Sequence, residues 1–363
     1  MTTATTESAD LLALRELADD IFESATEPVL DVQQVGIPYH PKLWNTLTES
    51  GLTMLTTPES RGGSGASLRE LAVVLESSGY HAAPVPLAEH DLLASWLLGI
   101  ADIEVPSGAM TAAVTDRQLD AGHLVAPIDN VPWAGDADVI VVAGDGFVAA
   151  VPRRAATVEE YSDIAGQPGG LLRINNRLED GQYRAIDSAL GREFRLRGAL
   201  ARALQTCGAL ARALDITVEH AVGREQFGRP IAKFQAVQSL ISSAAGALAV
   251  AKTAAQFATE VVATHGFGSA EGQFAVAVAK IESSRAATLV ARNAHQVHGA
   301  IGFTLDHRLR HFTTPALAWR SEFGRQREWQ HQLGRLALDS PLGVWEMLTQ
   351  LSSSVVSSDA KQL

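Results

Sequence analysis

Apolar side chains recur at intervals of three and four along most of the chain, the repeat of a helix with one buried face. Leu11, Leu14, Ala18 and Ile21 form the first such set. A second helix is expected over Leu43–Glu49, with Pro41 near its start, where a missing N–H costs nothing. The segment PESRGGSGAS (58–67) is a loop, and Leu68, Leu71, Val74 and Leu75 then resume helical spacing. Pro84 and Pro86 break it, and 89–99 reads as a further apolar helix. From about 101 to 190 the pattern changes. Ala112–Thr115, Val139–Val142, Phe147–Val151 and Leu171–Ile174 are short apolar or β-branched runs separated by Gly, Pro, Asp and Asn. VIVVAGDGFVAAV reads as a hairpin with Gly144–Asp145–Gly146 at its turn.

From about 191 the helical repeat returns. Leu200, Leu204, Cys207, Ala211, Leu214, Val218 and Ala221 define one face, and Ile231, Phe234, Val237, Ile241, Ala244, Leu248 and Ala251 another. The small residues of Ser242–Ala247 permit close helix approach. A turn at HGFGS (265–269) leads to a third helix with Phe274, Val278 and Ile281, and a fourth follows Trp329 with Leu333 and Leu336. Strands segregated between blocks of helix predict an α+β multi-domain protein rather than a doubly wound sheet. The expected blocks are an N-terminal α-helical domain (1–100), a short middle β domain (101–190), a C-terminal four-helix bundle (191–351) and a polar tail (352–363) with no packed structure.

Composition narrows the class. The 363 residues carry 29 basic and 41 acidic side chains, a net charge of −12, which argues against general nucleic-acid binding. At 46% hydrophobic residues the chain can bury a stable core. A single cysteine, Cys207, excludes an intrachain disulfide and a thiolate zinc site and suits a reducing compartment. No basic, apolar leader opens the sequence and no run of about 18 apolar residues is present, so a cytoplasmic protein that does not span a membrane is expected.

Three motifs carry candidate chemistry. Gly62, Gly63 and Gly65 lack the third glycine and the βαβ setting of a dinucleotide fingerprint, and read as a turn. His295, His298, His307 and His311 cluster in sequence, the last two at i, i+4. They lack a metalloprotease-type pattern and read as packing or hydrogen-bonding histidines, so no metal is expected. The third motif is VGREQFGRPIAKFQAVQ (222–238). Arg224, Arg229 and Lys233 concentrate positive charge around a break at Gly228 and Pro230, just before a new helix begins near Phe234 and Gln235. A helix start beside arginines is a good seat for a pyrophosphate, although basic loops are also common on solvated surfaces.

Arg-Glu-Gln-Phe-Gly-Arg-Pro-Ile followed by Phe-Gln-x-Val-Gln resembles the C-terminal domain of FAD-dependent acyl-CoA dehydrogenases. LWNTLTESGLTMLTTPESRGGSG is similar to the family's N-terminal segment, and NAHQVHGAIGFTLDH (293–307) to its Gln-x-x-Gly-Gly-x-Gly-Phe segment. The resemblance covers about 40–350 and implies the family's three-domain fold. It implies that Arg224, Gln226 and Phe227 contact FAD, with Phe234 and Gln235 beside them, and that Gln296 and Gly299 reach the FAD of a neighbouring subunit. Ala300 stands where the family has its second glycine, which would displace that contact.

The chain also departs from the family. Most members carry a glutamate base in a Tyr-Glu-Gly-Thr motif; here the segment is Ser321-Glu322-Phe323-Gly324-Arg325, and ungapped counting puts Phe323 at the base position. A minority place the base before the FAD hairpin, where counting back reaches Gly198, next to Arg197. The flavin-lining Thr-Glu-Pro-x-x-Gly-Ser-Asp motif has no counterpart in 101–190; Thr26-Glu27-Pro28 lies in the wrong domain. No catalytic residue is therefore assigned. Some bacterial members acting on steroid-derived acyl-CoAs are α2β2 heteromers whose two subunit types share each flavin site, and this chain resembles the partner that does not supply the base. The resemblance then implies an acyl-CoA substrate, with a steroid-derived or other bulky acyl part as one option. It also implies a second dehydrogenase-like subunit, and electron-transfer flavoprotein or a similar acceptor. The alternatives are a homomeric enzyme using Glu322 and a non-enzymatic structural or regulatory subunit.

Overall fold

The computed structural model describes residues 2–33, 35–186 and 190–339, together with Glu346 and Thr349. The polar tail 352–363 and most of 340–351 lie outside the described residues. Helices α1 (Thr2–Leu30), α2 (Pro41–Glu49), α3 (Leu68–Tyr80) and α4 (Trp96–Ile100) precede the strands. Helices α5 (Gly191–Gly223), α6 (Gln235–His265), α7 (Ala270–His298), α8 (Arg310–Trp319) and α9 (Gln326–Asp339) follow them. The order of helices, strands and helices is the one expected, but contacts do not follow those blocks. They divide the chain into two compact units: Met1–Gln33 with Leu68–Ala83 and Ala199–Leu363, and Gln34–Ser67 with Pro84–Gly198.

The first unit is helical. Ala244, Leu248, Ala251, Ala255, Ala258 and Val262 recur at three and four along α6 and are buried, with α7 packed alongside. α1 and α3 join this bundle from the N-terminal part of the chain. Two glycines set the crossing of α3 and α5. A Cβ on Gly208 would lie 1.8 Å from the Glu76 carbonyl oxygen, and one on Gly79 would lie 2.1 Å from that of Gln205. Nothing larger than glycine lets these backbones approach so closely. Burial on α5 is broader than the predicted face, running from Ala199 through Leu210, whereas Val218, assigned to that face, is exposed. Cys207 is buried, and burial pushes its thiol up to about 12. Helix α8, with Phe312 and Ala316 buried and Pro315 inside it, is not signalled by the periodicity; α9 begins just ahead of the predicted Trp329, which is buried. By length and composition α6 is apolar enough to cross a membrane, alone among the described helices. Polar Ser242, Ser243 and Lys252 interrupt it, so it is not one continuous apolar run.

The second unit holds two sheets. One has the order β1 (Met110–Val114), β3 (Val139–Gly144), β4 (Phe147–Pro152), β7 (Tyr183–Ala185), with β1 and β3 parallel. The other has the order β2 (His123–Pro132), β6 (Pro168–Arg177), β5 (Ala156–Ser162). Leu124, Ala126, Ile128, Leu172 and Ile174 of one meet Ile140, Val142, Phe147 and Val151 of the other in a single core. The predicted hairpin forms, with Gly144 opposite Phe147 and Asp145–Gly146 as its two-residue turn. The pattern misses β2, β5 and β7. β2 contains Pro127 and a register shift between Ile128 and Val131, where Asn130 takes φ 56°; both features are tolerated because β2 is an edge strand. β5 is a largely exposed strand carrying Glu159 and Glu160.

The Gly62–Gly65 segment is a turn, as expected, following a short 3-10 stretch Glu59–Arg61. The Arg61 guanidinium pins it by donating to the carbonyls of Leu98, at 3.2 Å, and Ile103. Ahead of α4, Ala88–Ser95 forms a π-helical stretch that is buried throughout. Asp91 accepts from the Thr56 N–H and hydroxyl and from the Thr57 hydroxyl, all at about 3 Å, and burial raises its pKa nonetheless.

Candidate functional site

The segment between α5 and α6 folds as a tight hairpin, β8 (Glu225–Gln226) against β9 (Arg229–Pro230), with Gln226 opposite Arg229. Phe227 and Gly228 form the turn at φ 53° and 77°. Two consecutive left-handed residues are what a type I′ two-residue hairpin turn requires, and a bulky side chain there is uncommon. The consequence is an aromatic ring held out from the protein, 90% exposed. Phe227 meets Phe234 edge-on at 6.0 Å, and the Arg229 guanidinium lies 4.3 Å above the Phe234 ring. The base of the hairpin is fastened by the Ile231 N–H, which donates to the Arg224 carbonyl at 2.8 Å. Ile231 also packs with Ala221 and with Val297 of α7, flanked by Phe234 and Val237.

Helix α6 begins beside this hairpin. Phe234 is its N-cap in extended conformation and offers no side-chain acceptor. The N–H groups of the first turn are therefore left uncapped at the positive end of the helix, where the Arg229 guanidinium lies over the Phe234 ring. Of the residues predicted from sequence, the hairpin and helix start bring together Arg224, Gln226, Phe227 and Gln235, all exposed. Gln296 is exposed on the last turn of α7, next to the buried Val297 that anchors the hairpin. Gly299 terminates α7 at φ 66°, a conformation that favours glycine, while Ala300 follows within the 3-10 stretch Gly299–Phe303 without a positive φ. These groups suit a dinucleotide: cations and a helix N-terminus for its phosphates, and an exposed aromatic for a flat ring.

The two expected base positions look different. Glu322 lies in the turn after α8, followed by Phe323 and Gly324 at φ 53° and 107°. Its carboxylate accepts from Arg202 Nε at 2.8 Å; the Arg202 side chain is 5% exposed and that of Glu322 28%. Arg202 also donates to Gln205 Oε1 at 2.6 Å and faces the Trp319 and Phe323 rings at 5.5 and 5.9 Å. Glu322 is thus the counter-ion of a buried cation, a relation no local sequence signal shows. At the other position, Arg197 pairs with Glu193 at 2.8 Å and stacks on Trp96 at 4.3 Å.

The histidines regroup. His307 and His311 do not share a helix: His307 precedes α8 and His311 is buried within it, which corrects the i, i+4 pairing. Instead His307 and His298 meet His220 from the last turns of α5, with one potential ligand atom from each all within 4.8 Å of the others. His220 and His298 stack at 4.3 Å, and His307 meets His298 edge-on at 4.6 Å. Burial holds all three below the usual histidine range, His298 at about 4.

Helical blocks before and after a two-sheet domain, with this hairpin, are the arrangement of the acyl-CoA dehydrogenase fold. Residues 8–101 match the acyl-CoA dehydrogenase N-terminal domain and residues 194–326 the C-terminal domain, and the chain belongs to the acyl-CoA dehydrogenase family. It is 28% identical over 330 residues to acyl-CoA dehydrogenase IpdE2 of Mycolicibacterium smegmatis, covering 89% of this chain and 96% of that one. Among solved structures, the ChsE4–ChsE5 complex from Mycobacterium tuberculosis shares the fold at a TM-score of 0.78 and 23% identity, over 92% of this chain and 98% of the other. A variant of the Tcur3481–Tcur3483 steroid ACAD shares it at 0.73 and 24%, over 91% and 98%.

Proposed function

We propose that this chain is one subunit of a heteromeric, FAD-dependent acyl-CoA dehydrogenase that desaturates the α,β-bond of an acyl-CoA thioester in the cytoplasm. A second dehydrogenase-like subunit, in an α2β2 assembly, supplies the base. The observation that carries this reading is a contrast: the hairpin with its outward Phe227 is fully formed, whereas Glu322 is occupied by Arg202 and the other base position holds Gly198 beside Arg197. Relatives named as two-chain complexes and as a steroid enzyme support the heteromer and a bulky, steroid-derived acyl group.

FAD, when bound, supplies the two-electron acceptor, and electrons leave to electron-transfer flavoprotein or a similar carrier. Arg224 and the first turn of α6 hold negative charge; Phe227 offers a face for stacking; Gln226 and Gln235 offer hydrogen bonds. Gln296 and Gly299 extend toward a neighbouring subunit's dinucleotide. The α-proton of the thioester is weakly acidic, so a carboxylate must come within hydrogen-bond reach of it. In this reading that carboxylate comes from the partner.

Co-expression with the partner, followed by flavin quantification and turnover, tests this. The assembled complex is expected to hold flavin and oxidise acyl-CoA, and Arg224→Ala to lose most of the flavin. Stoichiometric FAD and dehydrogenation by this chain alone would overturn the heteromer. A complex that keeps its flavin after Arg224→Ala would overturn the role of the hairpin.

A further inference from the structure

We infer that His220, His298 and His307 form a binding site for a divalent transition-metal ion of the zinc class, separate from the dinucleotide hairpin. The central ligand is His298, at the C-terminal end of α7 and only 6% exposed. Its Nδ1 lies 2.8 Å from the Ala294 carbonyl oxygen. A carbonyl can only accept, so Nδ1 carries the proton and Nε2 presents a lone pair. That buried Nε2 has no hydrogen-bond partner. Buried polar atoms are almost always satisfied, and His220 and His307 bring further imidazoles close by, one nitrogen from each of the three residues lying within 4.8 Å of the others. The Nδ1–H to carbonyl bond is also the outer-shell contact that fixes the orientation of metal-bound histidines.

The other two ligands come from separate elements, His220 from α5 and His307 from the segment before α8. Both are half-exposed and line an open hollow of about 330 Å³. Asp31, Glu219 and Asp306 face the same hollow and offset the cations Arg212 and Arg308. Arg308 is itself paired with Glu27 and Asp31.

The present spacing of up to 4.8 Å exceeds that of a closed tetrahedral site, in which nitrogens at ordinary zinc distances stand about 3.3 Å apart. His220 and His307 must therefore turn inward by about 1.5 Å at most. His220 gives up its stacking on His298 to do so, and His307 its long 3.2 Å contact from the Leu309 N–H. Three neutral imidazoles favour Zn²⁺, Ni²⁺, Co²⁺ or Cu²⁺ over Mg²⁺ or Ca²⁺, with water or a carboxylate of the hollow as fourth ligand. Such an ion would tie the ends of α5 and α7 to the 299–310 segment.

Calorimetric titration of the chelator-treated full chain with ZnCl2 tests the site, with CoCl2 as a spectroscopic probe. One equivalent per chain is expected, with visible cobalt bands of a tetrahedral site and a higher Tm on zinc addition. His298→Ala and His307→Ala should each weaken binding at least tenfold, and His311→Ala should not. If His298→Ala does not fold, His220→Ala, at a half-exposed position, makes the same test. No zinc binding, or binding undiminished in the cluster variants, would overturn the site.

Discussion

Arg202 is buried and its guanidinium donates to Glu322 at 2.8 Å, so the fate of Glu322 is tied to the fold as well as to chemistry. Removing one member of such a pair leaves a buried charge without its counter-ion. Glu322→Gln is expected to lower stability by about 2–3 kcal/mol, read from urea unfolding, and Arg202→Met combined with Glu322→Leu to recover most of it. If Glu322 were also the base, the same substitution would abolish turnover of the assembled enzyme in addition to lowering stability, and the Arg202→Met, Glu322→Leu pair would recover stability without turnover. His90 gives a second residue-scale prediction. Its Nδ1 accepts from the Met110 N–H at 3.0 Å and its ring packs on Trp44 at 4.9 Å. Burial lowers its pKa from 6.5 to about 3. Between those values the unfolded chain takes up a proton that the folded one refuses. The stabilisation from neutral His90 is therefore complete above about pH 6.5 and is lost as pH falls toward 3. The slope is about 1.4 kcal/mol per pH unit, and His90→Asn should remove it from a series of unfolding curves measured between pH 6 and 4. Neither role could be read from sequence. Sequence shows a glutamate and a histidine; burial and partners decide what they do.

At the scale of elements, the crossing of α3 and α5 depends on two glycines that no motif singles out. A methyl on Gly208 would meet the Glu76 carbonyl oxygen at 1.8 Å, and both partners are helix backbone. Gly208→Ala should force the helices apart and cost about 2–3 kcal/mol in thermal or urea unfolding. The hairpin was far more legible. Its basic residues, its Gly and Pro break and the new helix after it all lie within one short stretch, and short-range signals survive without tertiary information. The amphipathic helices were legible for the same reason. β2 and β5 were not, because an edge position excuses a proline and tolerates an exposed charged face, and edge position is a property of the sheet.

At the scale of the whole molecule, α1 and α3 belong by contact with the C-terminal helices. A fragment comprising 191–363 would lack both and leave apolar seats uncovered. It is expected to melt without a cooperative transition in near-UV circular dichroism, whereas the full chain melts cooperatively. The order of helices, strands and helices is legible as texture along the chain, but a break in texture does not say which segments pack together.

The sequence by itself determined the helical and strand character of most segments, the family resemblance and the basic hairpin, because periodicity and turn chemistry act over a few residues. The tertiary structure alone decided that Glu322 neutralises Arg202, that Gly79 and Gly208 set a helix crossing, and that His220 joins His298 and His307. Each depends on residues far apart in the chain that meet only when apolar faces are buried, and such burial also fixes the charge and hydrogen bonding that give these side chains their roles.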